Sequence, residues 1–166
     1  MIIREVLESG QSRANMLKIV AYIGDDPVRF RELLDIFFEG EYRMTQRAAW
    51  PISVCAEKHP ELLMPHLNRL IDQLPRQDVH DAVKRNVVRL LQFVEIPKRL
   101  QGKVYSHCLD LIADPKEPVA VKAFSITVAR KIAEQEPALM EELRLVVKPQ
   151  LQNATPALRV RVRGLF

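Results

Sequence analysis

Apolar residues recur along the chain every three or four positions, the spacing that places side chains on one face of an α-helix. The clearest example follows Asp26-Pro27, where an N-cap acceptor precedes a proline in the first helical turn. Its apolar stripe comprises Phe30, Leu33, Leu34, Phe37 and Phe38. The pattern predicts a helix that starts at residue 27 and ends at Gly40.

The same periodicity predicts helices along nearly the whole chain. A short helix over residues 2–8 precedes one over 12–23, in which Leu17, Val20 and Ala21 are expected to face inward. Further helices are predicted over residues 42–58, 60–74, 78–94, 97–112, 118–134, 137–151 and 156–164. Residues 159–163 alternate Arg and Val with period two, which alone favours a strand, but the phase of the pattern predicts a terminal helix.

One stretch of the pattern is repeated. The residues A-E-x-x-P-x-L occupy positions 56–62 and again 133–139, which corresponds to two repeats of about 38 residues. The prolines that start alternate helices, Pro27, Pro60, Pro97 and Pro137, are separated by 33, 37 and 40 residues. A period in this range indicates stacked helix pairs in which no pair buries its apolar face alone.

The segment Leu111-Ile112-Ala113-Asp114-Pro115, continued by Val119-Ala120-Val121-Lys122-Ala123, resembles the turn and second helix of a HEAT repeat. The resemblance implies an all-α fold, a right-handed α-α superhelix of about four to five HEAT-like helical hairpins, in a single domain over residues 1–166. It also implies a scaffold for other macromolecules, with the second helices on the concave side.

The composition fits this interpretation. With 48% hydrophobic and 28% charged residues, the chain of 166 residues has the balance of a folded domain rather than a disordered segment. Its two cysteines show no disulfide framework spacing, and no signal peptide or membrane span is apparent, which favours the cytoplasm. The net charge of +4 permits an anionic partner without requiring one.

No catalytic signature occurs in the sequence: a phosphate loop, G-x-S-x-G, H-E-x-x-H and C-x-x-C are all absent. The alkylpurine DNA glycosylases resemble HEAT stacks, but this chain is shorter, has one tryptophan, and shows no matching inner-helix carboxylate. We therefore predict a non-enzyme with no catalytic residue and no cofactor. Cys55 and His59 have the spacing of two metal ligands, but a closed site needs about four, so no metal site is predicted.

A basic residue recurs once per predicted repeat. The positions are Arg13, Arg47, Lys84, Lys122 and Arg159. These cations could form a ladder for an acidic peptide or a phosphate backbone, or they could pair with turn carboxylates. The turn carboxylates in question are Asp78, Asp81, Asp114 and Glu117. Pairing with the turn carboxylates is favoured, and a ladder that binds an anionic partner remains the alternative.

The candidate site is the concave ridge of the predicted stack. Its partner-binding residues are predicted to be Arg43, Arg47, Trp50, Lys84, Arg85, Lys122 and Arg159. The predicted ligand is an acidic or extended segment of a protein partner, and the alternative is sequence-independent nucleic-acid binding through the same ridge. Trp50 is favoured as a packing residue beside Pro51, with partner contact as its alternative. Leu165 and Phe166 suggest an exposed apolar end and a homodimer.

Overall fold

The computed structural model describes residues 2–39 and 41–166, and every regular element among them is helical. The α-helices are α1 (Ile3–Glu8), α2 (Arg13–Ile23), α3 (Pro27–Glu39), α4 (Tyr42–Lys58), α5 (Pro60–Leu63), α6 (Leu67–Ile71), α7 (Asp81–Leu91), α8 (Lys98–Ala113), α9 (Val119–Ala133), α10 (Pro137–Val147) and α11 (Pro156–Val162). Short 3-10 helices follow α5 (Met64–His66) and α10 (Lys148–Leu151). The predicted all-α fold is confirmed, whereas the predicted helix end at Gly40 lies outside the described residues.

The contacts within the chain divide it into two compact units, unit 1 (Met1–Asn86) and unit 2 (Val87–Phe166). The boundary falls within α7. The single domain that the sequence predicts over residues 1–166 stays a prediction.

In unit 1, α3 and α4 form an antiparallel pair against which α1 and α2 pack. The N-terminus of α3 is capped as predicted, because Asp26 Oδ1 accepts from the backbone N–H groups of Val28 (2.8 Å) and Arg29 (3.2 Å). Between α3 and α4, the buried hydroxyl of Thr45 donates to the carbonyl oxygen of Phe37 at 2.9 Å. The helix pair is therefore joined by a buried polar contact.

The inward face of α2 differs from the prediction. Leu17 and Ala21 are exposed, although Val20 is buried as expected. The buried residues are Met16, Ile19, Val20 and Ile23. These positions form an unbroken 3-1-3 spacing along one helix face, and Leu17 lies about 100° away from Met16 around the axis, on the solvent side.

In unit 2, α8 and α9 form the central pair, and both α10 and α11 pack against α9. The core residues of this pair are Val104, Cys108, Ile112, Val121, Ile126 and Val128. The hydroxyl of Tyr105 on α8 donates to the carbonyl oxygen of Leu139 on α10 at 2.5 Å. Burial raises the pKa of Tyr105 to about 12, so the phenol keeps the proton that it donates.

The C-terminal segment is helical, as predicted from the phase of the pattern. Thr155 Oγ1 accepts from the backbone N–H of Leu158, and the buried residues Leu158 and Val162 are one helical turn apart. The expected exposed apolar end is wrong for Leu165, which is fully buried, whereas Phe166 is 65% exposed. The carbonyl oxygen of Leu165 accepts from Arg144, which ties the end of the chain to α10.

Candidate interaction surface

Three of the predicted partner-binding arginines lie together in unit 1. Arg43 and Arg47 on α4, and Arg85 on α7, line an open surface depression of about 430 Å³. The remaining lining residues are Gln11, Tyr42 and Gln46. We call these six residues the basic depression, because three of them are cationic and no lining residue is acidic.

The burial pattern of α4 places two of the arginines at the surface. Met44, Ala48 and Ile52 are buried at successive helical turns and face the core of unit 1. Arg43 and Arg47 each directly precede a buried residue and are four positions apart, so they lie on one edge of the helix. Two side chains on a single helical edge can therefore reach the same ligand.

The start of α7 holds the third arginine near α4. His80 caps this helix, since its Nδ1 accepts from the backbone N–H of Ala82 at 3.1 Å. The imidazole ring of His80 also packs against the ring of Tyr42, with centroids 4.4 Å apart and an interplanar angle of 46°. These contacts join the first turns of α4 and α7, and Arg85 follows one turn after the cap.

The guanidinium of Arg47 is held by the backbone of α1. Its Nη1 donates to the carbonyl oxygens of Leu7 (2.9 Å) and Glu8 (3.1 Å) at the C-terminal end of that helix. A cation is favoured at a helix C-terminus because the partial negative charge accumulates there. Nε and Nη2 of Arg47 make no hydrogen bond with the residues that the structure describes.

Arg43 and Arg85, unlike Arg47, are not held by hydrogen bonds to the backbone. Neither side chain makes a hydrogen bond or an ion pair with any residue in the described part of the chain. Arg43 is exposed and Arg85 is half-buried. The basic depression therefore combines one anchored arginine with two whose N–H donors face no protein acceptor among the described residues.

The other predicted basic residues are not among those that line the depression. Lys84 and Lys122 are only 4% and 7% exposed, so their side chains present little surface to a partner. The ammonium group of Lys122 donates to Gln150 Oε1 at 2.9 Å. Arg159, in unit 2, is exposed and its Nε donates to the carbonyl oxygen of Ala154 at 3.1 Å.

Three of the recurring cations do not bind the turn carboxylates that the sequence suggests as their partners. Arg47, Lys122 and Arg159 all bind neutral carbonyl or amide oxygens, and Asp78 pairs instead with Arg76 at 2.6 Å. The same device occurs elsewhere in unit 2, where Lys131 Nζ donates to the carbonyl oxygen of Val94 at 3.1 Å. A cation that donates to a carbonyl oxygen at the end of a neighbouring helix stabilises the packing of the helices without an acidic partner.

Trp50 is not among the residues that line the basic depression, although Gln11 and Arg47 border both the depression and the cavity that Trp50 lines. It is half-buried and lines a small cavity of about 10 Å³ beside Leu7, Met16 and Ile19, which belong to α1 and α2. These neighbours favour the packing interpretation of Trp50.

Tyr42 is not singled out by the sequence pattern, although it is 50% exposed at the mouth of the depression. No local signal distinguishes it, because its role depends on Arg43 and on His80, which is 38 residues away in sequence.

Both cysteines are buried thiols. Burial raises the pKa of Cys55 to about 11 and that of Cys108 to about 12, which keeps both sulfurs protonated at neutral pH. His59, four residues from Cys55, is paired with Glu61 at 3.1 Å. Across residues 2–39 and 41–166, no group of three or more His, Cys, Asp or Glu side chains could hold a metal ion.

Among the helices of residues 2–39 and 41–166, none has the length and apolar character of a membrane span.

Comparison with protein families shows that the family described as HEAT repeat domain matches residues 3–165. The searches of curated proteins and of solved structures found no match.

Proposed function

Because the chain belongs to the HEAT-repeat family, we propose that it is a non-catalytic scaffold that binds an acidic segment of a protein partner at the basic depression of unit 1. HEAT repeats generally serve as protein-interaction scaffolds. The proposal adds a location and a ligand chemistry to that general role.

The observation that carries the proposal is the uncompensated charge of the depression. Three guanidinium groups line it, none of its lining residues is acidic, and two of the three make no polar contact with other described residues. Guanidinium groups gathered at one surface repel each other, and an anionic ligand removes this repulsion. The same charge accelerates association with an acidic partner at low ionic strength.

The neutral lining residues suit a peptide. Tyr42 presents half of its surface, and Tyr and Arg are the residues that most often contribute binding energy at protein interfaces. Gln11 and Gln46 supply amide groups that can donate to or accept from a peptide backbone. A surface of this kind recognises an extended acidic chain through charge and backbone hydrogen bonds together.

A pair of charge-reversal variants tests the proposal. Tagged wild-type protein, Arg43→Glu/Arg85→Glu and the control Lys18→Glu/Arg99→Glu are used to purify partners from cell extracts, with quantification by mass spectrometry. Both doubles change the net charge equally, and Lys18 and Arg99 are exposed residues outside the depression. We expect the wild type and the control to retain a protein partner that the Arg43/Arg85 variant loses by about tenfold or more.

Two outcomes would contradict the proposal. One is a partner retained equally by all three proteins, which would place its binding surface elsewhere. The other is tight binding of a random-sequence DNA duplex that weakens steeply between 50 and 200 mM salt and requires Arg43 and Arg85. That second result would establish the nucleic-acid alternative in place of the protein partner.

A further inference from the structure

We propose that the basic depression prefers a phosphorylated side chain, a phosphoserine or phosphothreonine within the acidic segment, over a carboxylate. This inference rests on the proposed function and specifies the ligand group that the depression recognises. It follows from the number of donors that the three arginines present, from the way Arg47 is held, and from the absence of acids in the lining.

The number of donors exceeds what a carboxylate can use. An arginine carries five N–H donors in a planar fork, and one such fork satisfies a carboxylate in a bidentate pair. Arg47 uses Nη1 for the end of α1, and its Nε and Nη2 make no hydrogen bond with other described residues. Arg43 and Arg85 make no hydrogen bond with other described residues at all. A single carboxylate would therefore leave most of these donors and two of the three charges without a ligand.

A phosphate monoester matches this set more closely. It has three strong acceptor oxygens and carries a charge of about −1.5 to −2 at neutral pH. Three guanidinium groups from two helices can contact separate oxygens and offset the whole charge. No acidic residue is among the lining residues, so no carboxylate of the lining opposes the dianion.

The anchoring of Arg47 also favours the binding of an anion at the depression. Two backbone hydrogen bonds, at 2.9 and 3.1 Å, hold its Nη1 at the end of α1, so less side-chain entropy is lost when a ligand binds the remaining donors. Arg43 lies one turn away on the same helix, and Arg85 approaches from α7. The depression is open, so a phosphorylated side chain on an extended peptide can reach it without movement of the helices.

Fluorescence anisotropy with three peptide libraries tests the inference. The fluorescein-labelled ten-residue peptides share degenerate, moderately acidic flanks and differ at one central position, which is phosphoserine, glutamate or serine. We expect the phosphoserine library to bind the wild-type protein at least about tenfold more tightly than the glutamate library. Arg43→Gln and Arg85→Gln should each remove about tenfold of that affinity, and the control Lys18→Gln should leave it unchanged.

Several results would overturn the inference. Equal affinity for the phosphoserine and glutamate libraries, with both lost in Arg43→Gln, would overturn the phosphate preference and leave the proposed acidic partner intact. Binding of neither library above the serine library would also overturn it, and the co-purification experiment would then decide the proposed function separately. Tighter binding of a DNA duplex than of the phosphoserine library would show that phosphodiesters are the preferred ligand.

Treatment of the cell extract with phosphatase before co-purification adds an independent measurement. The inference predicts that the partner is lost from the wild-type protein after this treatment, as it is from Arg43→Glu/Arg85→Glu in an untreated extract. A partner that still requires Arg43 and Arg85 after dephosphorylation would overturn the phosphate preference alone.

Discussion

Arg47 and Leu7 are 40 positions apart in sequence, yet the guanidinium of Arg47 donates to the carbonyl oxygen of Leu7 at 2.9 Å. A second bond from the same nitrogen reaches the carbonyl oxygen of Glu8 at 3.1 Å. The contact joins the middle of α4 to the end of α1 and leaves the rest of the guanidinium at the basic depression. One side chain thus contributes to the packing of unit 1 and to its candidate binding surface.

The first prediction separates these two contributions. Arg47→Ala should lower the free energy of unfolding by about 1–3 kcal/mol, because two carbonyl groups lose a charged donor. Arg43→Ala, one turn earlier, should change it by less than about 0.5 kcal/mol, because Arg43 has no polar partner among the described residues. Urea denaturation followed by circular dichroism measures both values. Equal effects of the two variants would contradict the structural role of Arg47.

The second prediction concerns the dependence of stability on pH. The pKa of His66 is lowered by its burial and by the nearby charges of Arg69 and Arg31. In the unfolded chain the same imidazole has its ordinary pKa of about 6.5. As the pH falls from 7.5 to 5, the unfolded state therefore takes up more protons at this site, and the free energy of unfolding should decrease.

The variant His66→Gln removes this titration. Its free energy of unfolding should decline less than that of the wild type between pH 7.5 and 5, because the contribution of His66 is complete at high pH and is lost on acidification. Denaturation curves at several pH values supply the comparison. If the two proteins had the same pH dependence across this range, His66 would have the same proton affinity in both states.

The third prediction concerns the thiols. Cys55 and Cys108 are 1% and 0% exposed, and burial raises both pKa values above 10. The native protein should therefore react with a disulfide reagent at pH 8 at least about a hundredfold more slowly than the protein unfolded in guanidinium chloride. The single variants Cys55→Ser and Cys108→Ser assign each reaction. Rapid reaction of either thiol in the native state would show that its helix pair opens.

The fourth prediction examines the C-terminus of unit 2. Leu165→Ala should lower the free energy of unfolding by about 2 kcal/mol or more, because the side chain is fully buried. Its neighbour provides the matched control: Phe166→Ala removes a side chain that is 65% exposed and should change stability by less than about 0.5 kcal/mol. Thermal and urea denaturation measure both effects. A negligible effect of Leu165→Ala would indicate that the last residues do not pack in solution.

Local sequence was sufficient to predict most of the helices. The caps formed by Asp26 and Thr155 act within three residues, and the apolar spacing of α3 and α4 repeats within one or two turns. The terminal helix α11 was also predicted, since its buried residues Leu158 and Val162 keep a helical spacing despite the alternation of arginine and valine. Such signals depend on neighbours in the chain, so they can be read without the tertiary structure.

The choice of buried face was less predictable. Leu17 and Met16 are both apolar neighbours on α2, and only Met16 faces the core. Lys84 and Lys122 belong to the series of basic residues that recurs once per predicted repeat, as does the exposed Arg159, yet both lysines are buried. In each case the burial depends on which helix packs against the residue, and the periodicity of a single helix carries no information about that neighbour.

By itself, therefore, the sequence determined that the chain is helical, where most helices begin, and that it resembles a HEAT-repeat protein. The tertiary structure decided which cations are anchored, as Arg47 is to Leu7, and which, like Arg43 and Arg85, face solvent together. The physical reason is the range of the interactions. Caps and helical periodicity act over one or two turns, whereas Arg47 and Lys122 donate to residues 40 and 28 positions away, which they meet only after the helices pack.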